Sequence, residues 1–185
     1  MCIRDRTKPR ATADVVIIGS GYTGLHAAVQ TVRAGLDTVV VDAEAAGFGC
    51  STRNGGQIST SVKPSYSTLC QRYGEAQAIQ ILKEGQASLH HVRDFVSEEA
   101  IDCSFNEVGR FHGAHTARQY DKLARECDHG HPGFETGAFA VPRDNQHSEL
   151  GTDAYYGGVV FPRHSSIDPV SYTHLRAHET VLELV

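Results

Sequence analysis

The stretch that most constrains this chain is "ADVVIIGSGYTGLHAAVQTVRAGLDTVVVDAE", residues 13–44. Val15 to Ile18 is a short unbroken apolar run, the pattern of a strand covered on both faces. Thr23 to Ala34 has helix-forming composition, with Leu25, Ala28, Val29 and Val32 at helical spacing, and Gly35 supplies the stop. Thr38 to Val41 is a second strand. Two parallel strands need a crossover, and the helix between them provides it. The pattern predicts a βαβ motif and places the chain in the α/β class.

Between the first strand and the helix, Gly19-Ser20-Gly21-Tyr22-Thr23-Gly24 fits G-x-G-x-x-G. The first glycine allows the tight turn, the second lets backbone approach a pyrophosphate, and the third lets helix and strand pack closely. A phosphate there meets unpaired N–H groups and the positive end of the helix dipole. Gly19, Gly21, Tyr22, Thr23 and Gly24 are therefore candidate cofactor-binding residues. Asp42 closes the second strand, 18 residues after Gly24. An acid at this point accepts hydrogen bonds from ribose hydroxyls and repels a 2′-phosphate, which disfavours NADP.

Bulk properties narrow the remaining classes. A net charge of −5 over 185 residues gives no electrostatic footprint for nucleic acid or an anionic membrane. No apolar run approaches the roughly 20 residues that span a bilayer, and "MCIRDRTKPR" lacks the apolar core of a signal peptide. Five cysteines without paired spacing fit reduced thiols and a cytoplasmic location.

A dinucleotide motif leaves both FAD and NAD open, and the loop-rich residues 43–64 bear on the choice. "GFGCSTRNGGQ", residues 47–57, resembles a pattern found in the FAD-dependent amine and amino-acid oxidase superfamily, which includes D-amino-acid, glycine and sarcosine oxidases. It is most similar to γ-glutamylputrescine oxidase-like proteins, whose pattern reads G-x-G-A-S-G-R-N-G-G-Q. Cys50 stands where the pattern has alanine, and Thr52 where it has glycine. The resemblance covers residues 13–169, including "VGRFHGAHT" at 108–116 and "YYGGVVFPRHSSIDP" at 155–169.

The resemblance implies FAD as cofactor. Ser51 would donate to phosphate, and Arg53 and Asn54 would bond phosphate or the ribityl hydroxyls. Gly55, Gly56 and Gln57 would lie beside the isoalloxazine ring. It also implies oxidation of a small-molecule amine, γ-glutamylputrescine-like or an amino acid, to an imine with oxygen as acceptor. No catalytic residue is named, because the family's substrate contacts lie further along the chain. Two other readings remain: an NAD-linked dehydrogenase, and a non-catalytic nucleotide-binding fragment.

The expected architecture is a Rossmann-type FAD-binding βαβ motif with the start of an α+β substrate domain. Residues 7–100 form the FAD-binding part, 101–154 the start of the substrate domain, and 155–169 a return segment. Residues 1–6, "MCIRDR", and 170–185, "VSYTHLRAHETVLELV", resemble translated sequencing adapter, so the genuine chain is expected to run from Thr7 to Pro169 of a longer gene. An amphipathic C-terminal helix is the alternative for the second of these. Further expectations are one long helix from Tyr73 to Glu98, paired strands at 101–106 and 108–114 around a hairpin turn at Asn106–Gly109, a helix from Ala117 to Glu126, and a last strand at 155–162.

Other clusters carry less. Cys127, His129 and His131 in "CDHGH" lack the second ligand pair of a zinc site, and His147 and His164 are too scattered to supply it. His90 and His91 are adjacent on a helix and point about 100° apart. His112 and His115 read as surface or substrate-domain residues. Cys50, near Arg53, is a candidate for a lowered thiol pKa or a covalent flavin link.

Overall fold

The computed structural model describes residues 11–129 and 135–179. In chain order the elements are β1 (Val15–Ile18), α1 (Tyr22–Arg33), β2 (Thr38–Val41), β3 (Gln57–Ile58), α2 (Tyr66–Tyr73), α3 (Glu75–Glu98), β4 (Arg110–Gly113), α4 (Ala117–His129), β5 (Phe139–Val141), a single 3-10 turn (Arg143–Asn145), α5 (Gln146–Leu150), β6 (Gly158–Phe161), β7 (Ser165–Ser166) and α6 (Pro169–Glu179). They fall into two compact units. Among the described residues, the first holds 11–56, 95–105 and 167–179, and the second holds 57–94, 106–129 and 135–166.

The first unit is built on the expected βαβ motif. β1 and β2 pair in parallel, in register from Val15 opposite Thr38 to Ile18 opposite Val41. α1 buries Leu25, Ala28 and Val29, and Val39 and Val40 of β2 are buried with them, while Val32, the fourth residue at helical spacing, is exposed. The Gly35 turn ends the helix as expected, with Gly35 in the left-handed region. Val16 and Ile18 of β1 are exposed, so only one face of this strand is covered. Phe95 adds its ring to the unit's core, where His26 packs on it at 5.2 Å. Arg33 lies over the same ring and forms an ion pair with Glu99.

The second unit holds a three-stranded antiparallel sheet in the order β4-β6-β5, and a short antiparallel pair of β3 with β7. Leu69, Ala78 and Leu82 form a buried cluster, with Val62, Tyr66, Cys70 and Ile81 packed against it.

Three further expectations are corrected. Residues 101–106 and 108–114 are not paired strands, and Asn106–Gly109 is not a hairpin turn. Arg110–Gly113 pairs with Gly158–Phe161 instead. Ser104, at φ 50°, breaks any extended run through 101–105, and Ala100 just before it also has a positive φ, 49°. Ile101 and Cys103 are buried within the first unit. The long helix does not begin at Tyr73. Gly74, at φ 81°, separates α2 from α3, and Ser65 caps α2 by accepting from the Thr68 N–H. The last strand is confined to Gly158–Phe161, and the weakly patterned stretch before it contains β5 and α5. The adapter-like residues 1–6 and the tail at 180–185 lie outside the described residues, while 170–179 belong to α6.

Leu69 is 2 % exposed and Tyr73, one turn later on α2, is 57 % exposed. Leu69→Ala is expected to destabilise the second unit by roughly 2–5 kcal/mol through lost burial and a residual cavity. Tyr73→Ala should stay within about 0.5 kcal/mol of the unmutated chain. Denaturant midpoints of the two variants check both values.

Candidate functional site

The candidate site lies in the first unit, where β1 and β2 end at the same edge. The Gly19 N–H donates to the Val41 carbonyl at 2.7 Å and carries the ladder one residue past β1. The chain then turns through Gly19-Ser20-Gly21 into α1, with Gly21 as N-cap. Gly24 has no alternative at its position. A Cβ there would sit 1.9 Å from the Gly19 carbonyl oxygen, so the helix could not approach the strand end. The intrahelical bonds begin with the Leu25 N–H to the Gly21 carbonyl. The earlier amides, those of Tyr22, Thr23 and Gly24, have no partner within the helix.

One of these amides is taken by the following loop. The Tyr22 N–H donates to Ser51 Oγ at 3.0 Å. A hydroxyl that accepts one bond still has its proton to donate, so Ser51 can serve a phosphate oxygen as well. A Cβ on Gly21 would stand 3.0 Å from Ser51 Oγ, which explains why the second glycine of the motif carries no side chain.

Asp42 sits beside this turn. Its Oδ2 accepts from the Ser20 N–H at 2.7 Å and from the Ser20 hydroxyl at 2.6 Å, and its Oδ1 accepts from the Glu44 N–H at 3.1 Å. Burial pushes the Asp42 carboxyl up, but the bonds from Ser20 and from the amides of Glu44 and Ala43 outweigh it and hold the group below its ordinary value. The carboxylate is therefore charged at neutral pH and keeps acceptor capacity on Oδ1.

The loop at 47–56 is closed by its own side chains. Thr52, where the resembling pattern has glycine, donates its hydroxyl to the Gly47 carbonyl. Its backbone is not left-handed: among the described residues only Ala100 and Ser104 combine a side chain with positive φ. The Asn54 amide donates to the Cys50 carbonyl at 3.1 Å, the Ser51 carbonyl at 2.9 Å and the Tyr22 hydroxyl at 3.2 Å, while its oxygen accepts from the Gly56 N–H at 2.9 Å. The Arg53 guanidinium stacks over Phe48, 4.1 Å from the ring centroid. Gly55 has open space where a Cβ would be, whereas Gly56 is held close to backbone, with a Cβ position 2.0 Å from the Ile167 carbonyl oxygen. Gln57, the last residue expected in the site, is the first residue of the second unit, in β3 opposite Ser166.

This donor set fits the diphosphate and adenosine of a dinucleotide: bare first-turn amides, a glycine cradle, a hydroxyl donor and a charged acceptor one strand away. Sequence reading missed Ser20, which is fully buried between the glycines. An "x" position in a motif gives no signal of such a role. Among the described residues no three His, Cys, Asp or Glu side chains are grouped to hold a metal ion. His131 and the side chain of His129 lie outside the described residues. His147 faces Asp153 at 3.4 Å, and His164 is buried against Thr60, its pKa pushed down by burial and then by the Arg110 charge.

Two outcomes are expected. Thr52→Gly, although it restores the pattern residue, should lower stability by about 0.5–1.5 kcal/mol through the lost hydroxyl bond, read as a shift in denaturant midpoint. The Asp42 contribution has the sign of a depressed carboxyl. It is fully present above the unfolded-state value and is lost as pH falls through the lower folded-state value. Amide exchange at Ser20 should therefore stay slow down to the ordinary carboxylate range and quicken below it, with that pH dependence absent in Asp42→Asn.

Comparison with known proteins places the chain. The sequence profile of a family described as "DAO: FAD dependent oxidoreductase" matches residues 14–180. The "Probable oxidoreductase OrdL" of Rhizobium meliloti (strain 1021) is 34% identical over 149 residues, which are 80% of this chain and 34% of that protein. The "Gamma-glutamylputrescine oxidoreductase" of Escherichia coli (strain K12) is 34% identical over 107 residues, 58% of this chain and 25% of that protein. Among solved structures, glycine oxidase from Geobacillus kaustophilus superposes with a TM-score of 0.76 at 17% identity, covering 94% of this chain and 46% of that one. That likeness shows the fold. The chain spans about a third of the length of the curated relatives it matches at 34% and 37% coverage. With a family profile matched across nearly its whole length and a shared fold, the chain belongs to the FAD-dependent oxidoreductases of the DAO family.

Proposed function

We propose that this chain is the flavin-binding part of an enzyme that oxidises the carbon–nitrogen bond of a small amine to an imine, which water then hydrolyses, with oxygen as the final electron acceptor. The substrate class is a γ-glutamylputrescine-like amine or an amino acid. The names of the similar oxidoreductase and of the glycine oxidase support that class. The observation that carries the reading is the meeting of Ser51, Asp42 and the glycine turn at one strand edge.

Each residue then has a separate task. The Thr23 and Gly24 amides and the Ser51 hydroxyl receive the diphosphate at the positive end of α1. Asp42 accepts from the adenosine ribose. Arg53, on the exposed part of the loop, supplies positive charge to the diphosphate after leaving Phe48. Asn54 holds the loop, because its amide is already engaged there. Gly55 offers a surface without a side chain to the flat ring. FAD, when bound, supplies the two-electron acceptor for the C–H bond beside nitrogen. None of the described residues is assigned to bond breaking. The chain alone is accordingly expected to bind FAD without turning over an amine. A reducing, cytoplasmic setting belongs to the same proposal, supported by Cys50, Cys70 and Cys103 being thiols rather than disulfides.

Titration of FAD with the 185-residue chain, followed by flavin fluorescence anisotropy, tests the proposal. FAD should bind, a large excess of NAD should not displace it, and Ser51→Ala should weaken binding roughly fivefold or more, the worth of one hydrogen bond of about 1 kcal/mol. Displacement of FAD by NAD, or no FAD binding by a folded chain, would sink it.

A further inference from the structure

We propose that Ser20 is a positioning residue for this site, joining the Asp42 carboxylate to the backbone of Gly47 through one buried hydroxyl. The inference rests on the FAD-site reading above and goes further into how the adenosine ribose is received.

Ser20 is fully buried. Its hydroxyl donates to Asp42 Oδ2 at 2.6 Å and accepts from the Gly47 N–H at 3.1 Å. A hydroxyl has a single proton, so donation to Asp42 fixes its direction and turns a lone pair toward Gly47. The Ser20 N–H reaches the same Oδ2 at 2.7 Å. Two donors on Oδ2 fill its in-plane acceptor directions. Oδ1 accepts from the Glu44 N–H, and the Ala43 amide also supports the carboxylate. Oδ1 receives no Ser20 donor among these bonds and is the oxygen offered to a ribose hydroxyl.

The same hydroxyl ties down the loop. Gly47 lies at φ 68°, and both polar groups of its backbone are held: the N–H by Ser20 and the carbonyl by Thr52. The residue after the first glycine of the turn thus sets the orientation of the ribose acceptor and the start of the loop that carries Ser51. Removing the hydroxyl leaves Asp42 with one donor from Ser20 and strips the Gly47 amide of its acceptor. Ser20 touches no cofactor atom in this scheme and acts through Asp42 and Gly47.

The test uses the 185-residue chain, with ADP, 2′-deoxy-ADP and 3′-deoxy-ADP as probes in calorimetry, and amide exchange at Gly47 without ligand. The unmutated chain should prefer ADP over the weaker deoxy analogue by about tenfold, the worth of a hydrogen bond to a charged acceptor. In Ser20→Ala this preference should shrink toward parity and the Gly47 amide should exchange faster. A merely structural role would weaken all three nucleotides together and leave the preference intact, and that result overturns the proposal. Unchanged exchange at Gly47 overturns it as well. Should Ser20→Ala fail to fold, Ser20→Cys keeps the volume with a weaker donor, and an intermediate preference is then expected against full retention. Equal binding of ADP and both deoxy analogues by the unmutated chain overturns the role of Asp42, and the proposal with it. Binding of neither ADP nor FAD marks failure of the FAD-site reading itself.

Discussion

The parallel pairing of β1 with β2 is the constraint from which the candidate site follows. Parallel strands point the same way, so the segments that leave them emerge at one edge. Here the register runs to Ile18 opposite Val41, and the next residues are Gly19 and Asp42. The Gly19 N–H still reaches the Val41 carbonyl, so the turn starts while attached to the neighbouring strand. An antiparallel pair would have sent the glycine turn and the acid to opposite ends. The carboxyl edge of a parallel sheet is where α/β folds place ligands, for this geometric reason.

A carboxylate beside the proposed diphosphate site needs an account, because like charges repel. The donors around Asp42 provide it. Ser20 gives two hydrogen bonds to one oxygen and Glu44 gives one to the other. Charge-assisted bonds of this kind are short and strong, and they confine the negative charge to the β2 side of the turn. The first-turn amides of Thr23 and Gly24 stay on the α1 side. Ser51, meeting the Tyr22 N–H, marks the boundary between the two. Acceptor and donors are thereby sorted to match a ribose and a phosphate a few atoms apart on one molecule.

What was legible in the sequence was what local pattern determines. β1, α1, β2 and the Gly35 stop follow from apolar runs, helical spacing and a glycine, and each is settled within a few residues. Asp42 was legible because its distance from the glycines is fixed by one helix and one strand. The strand Arg110–Gly113 was visible, but its partner was not. Gly158–Phe161 lies far along the chain, and pairing at that distance leaves no trace in local pattern. Val159, 2 % exposed at the sheet's centre, decides the pairing through burial rather than through a turn. α2 was missed because eight residues carry little periodicity and "KPSYST" reads as loop. Ser20 was illegible for another reason: its importance lies in three hydrogen bonds to residues distant in sequence.

Position 52 shows how a departure from a pattern can be absorbed. A glycine there would give the loop backbone freedom, and freedom must be given up when a ligand binds. Thr52 instead spends its hydroxyl on the Gly47 carbonyl, while Asn54 ties the Cys50 and Ser51 carbonyls and the Gly56 N–H. The loop is held by side-chain bonds rather than left to be ordered by its ligand, so less of the binding free energy goes into ordering it. Arg53 is the exception within this closed loop. Its guanidinium rests on Phe48 and not on a loop carbonyl, and a cation–π contact at an exposed site is worth only about 0.5–1 kcal/mol. A diphosphate offers Arg53 a stronger, charge-assisted partner. The loop thus combines a fixed frame at Ser51, Thr52 and Asn54 with one cation on a weak tether, the side chain that could turn to the proposed diphosphate at least cost.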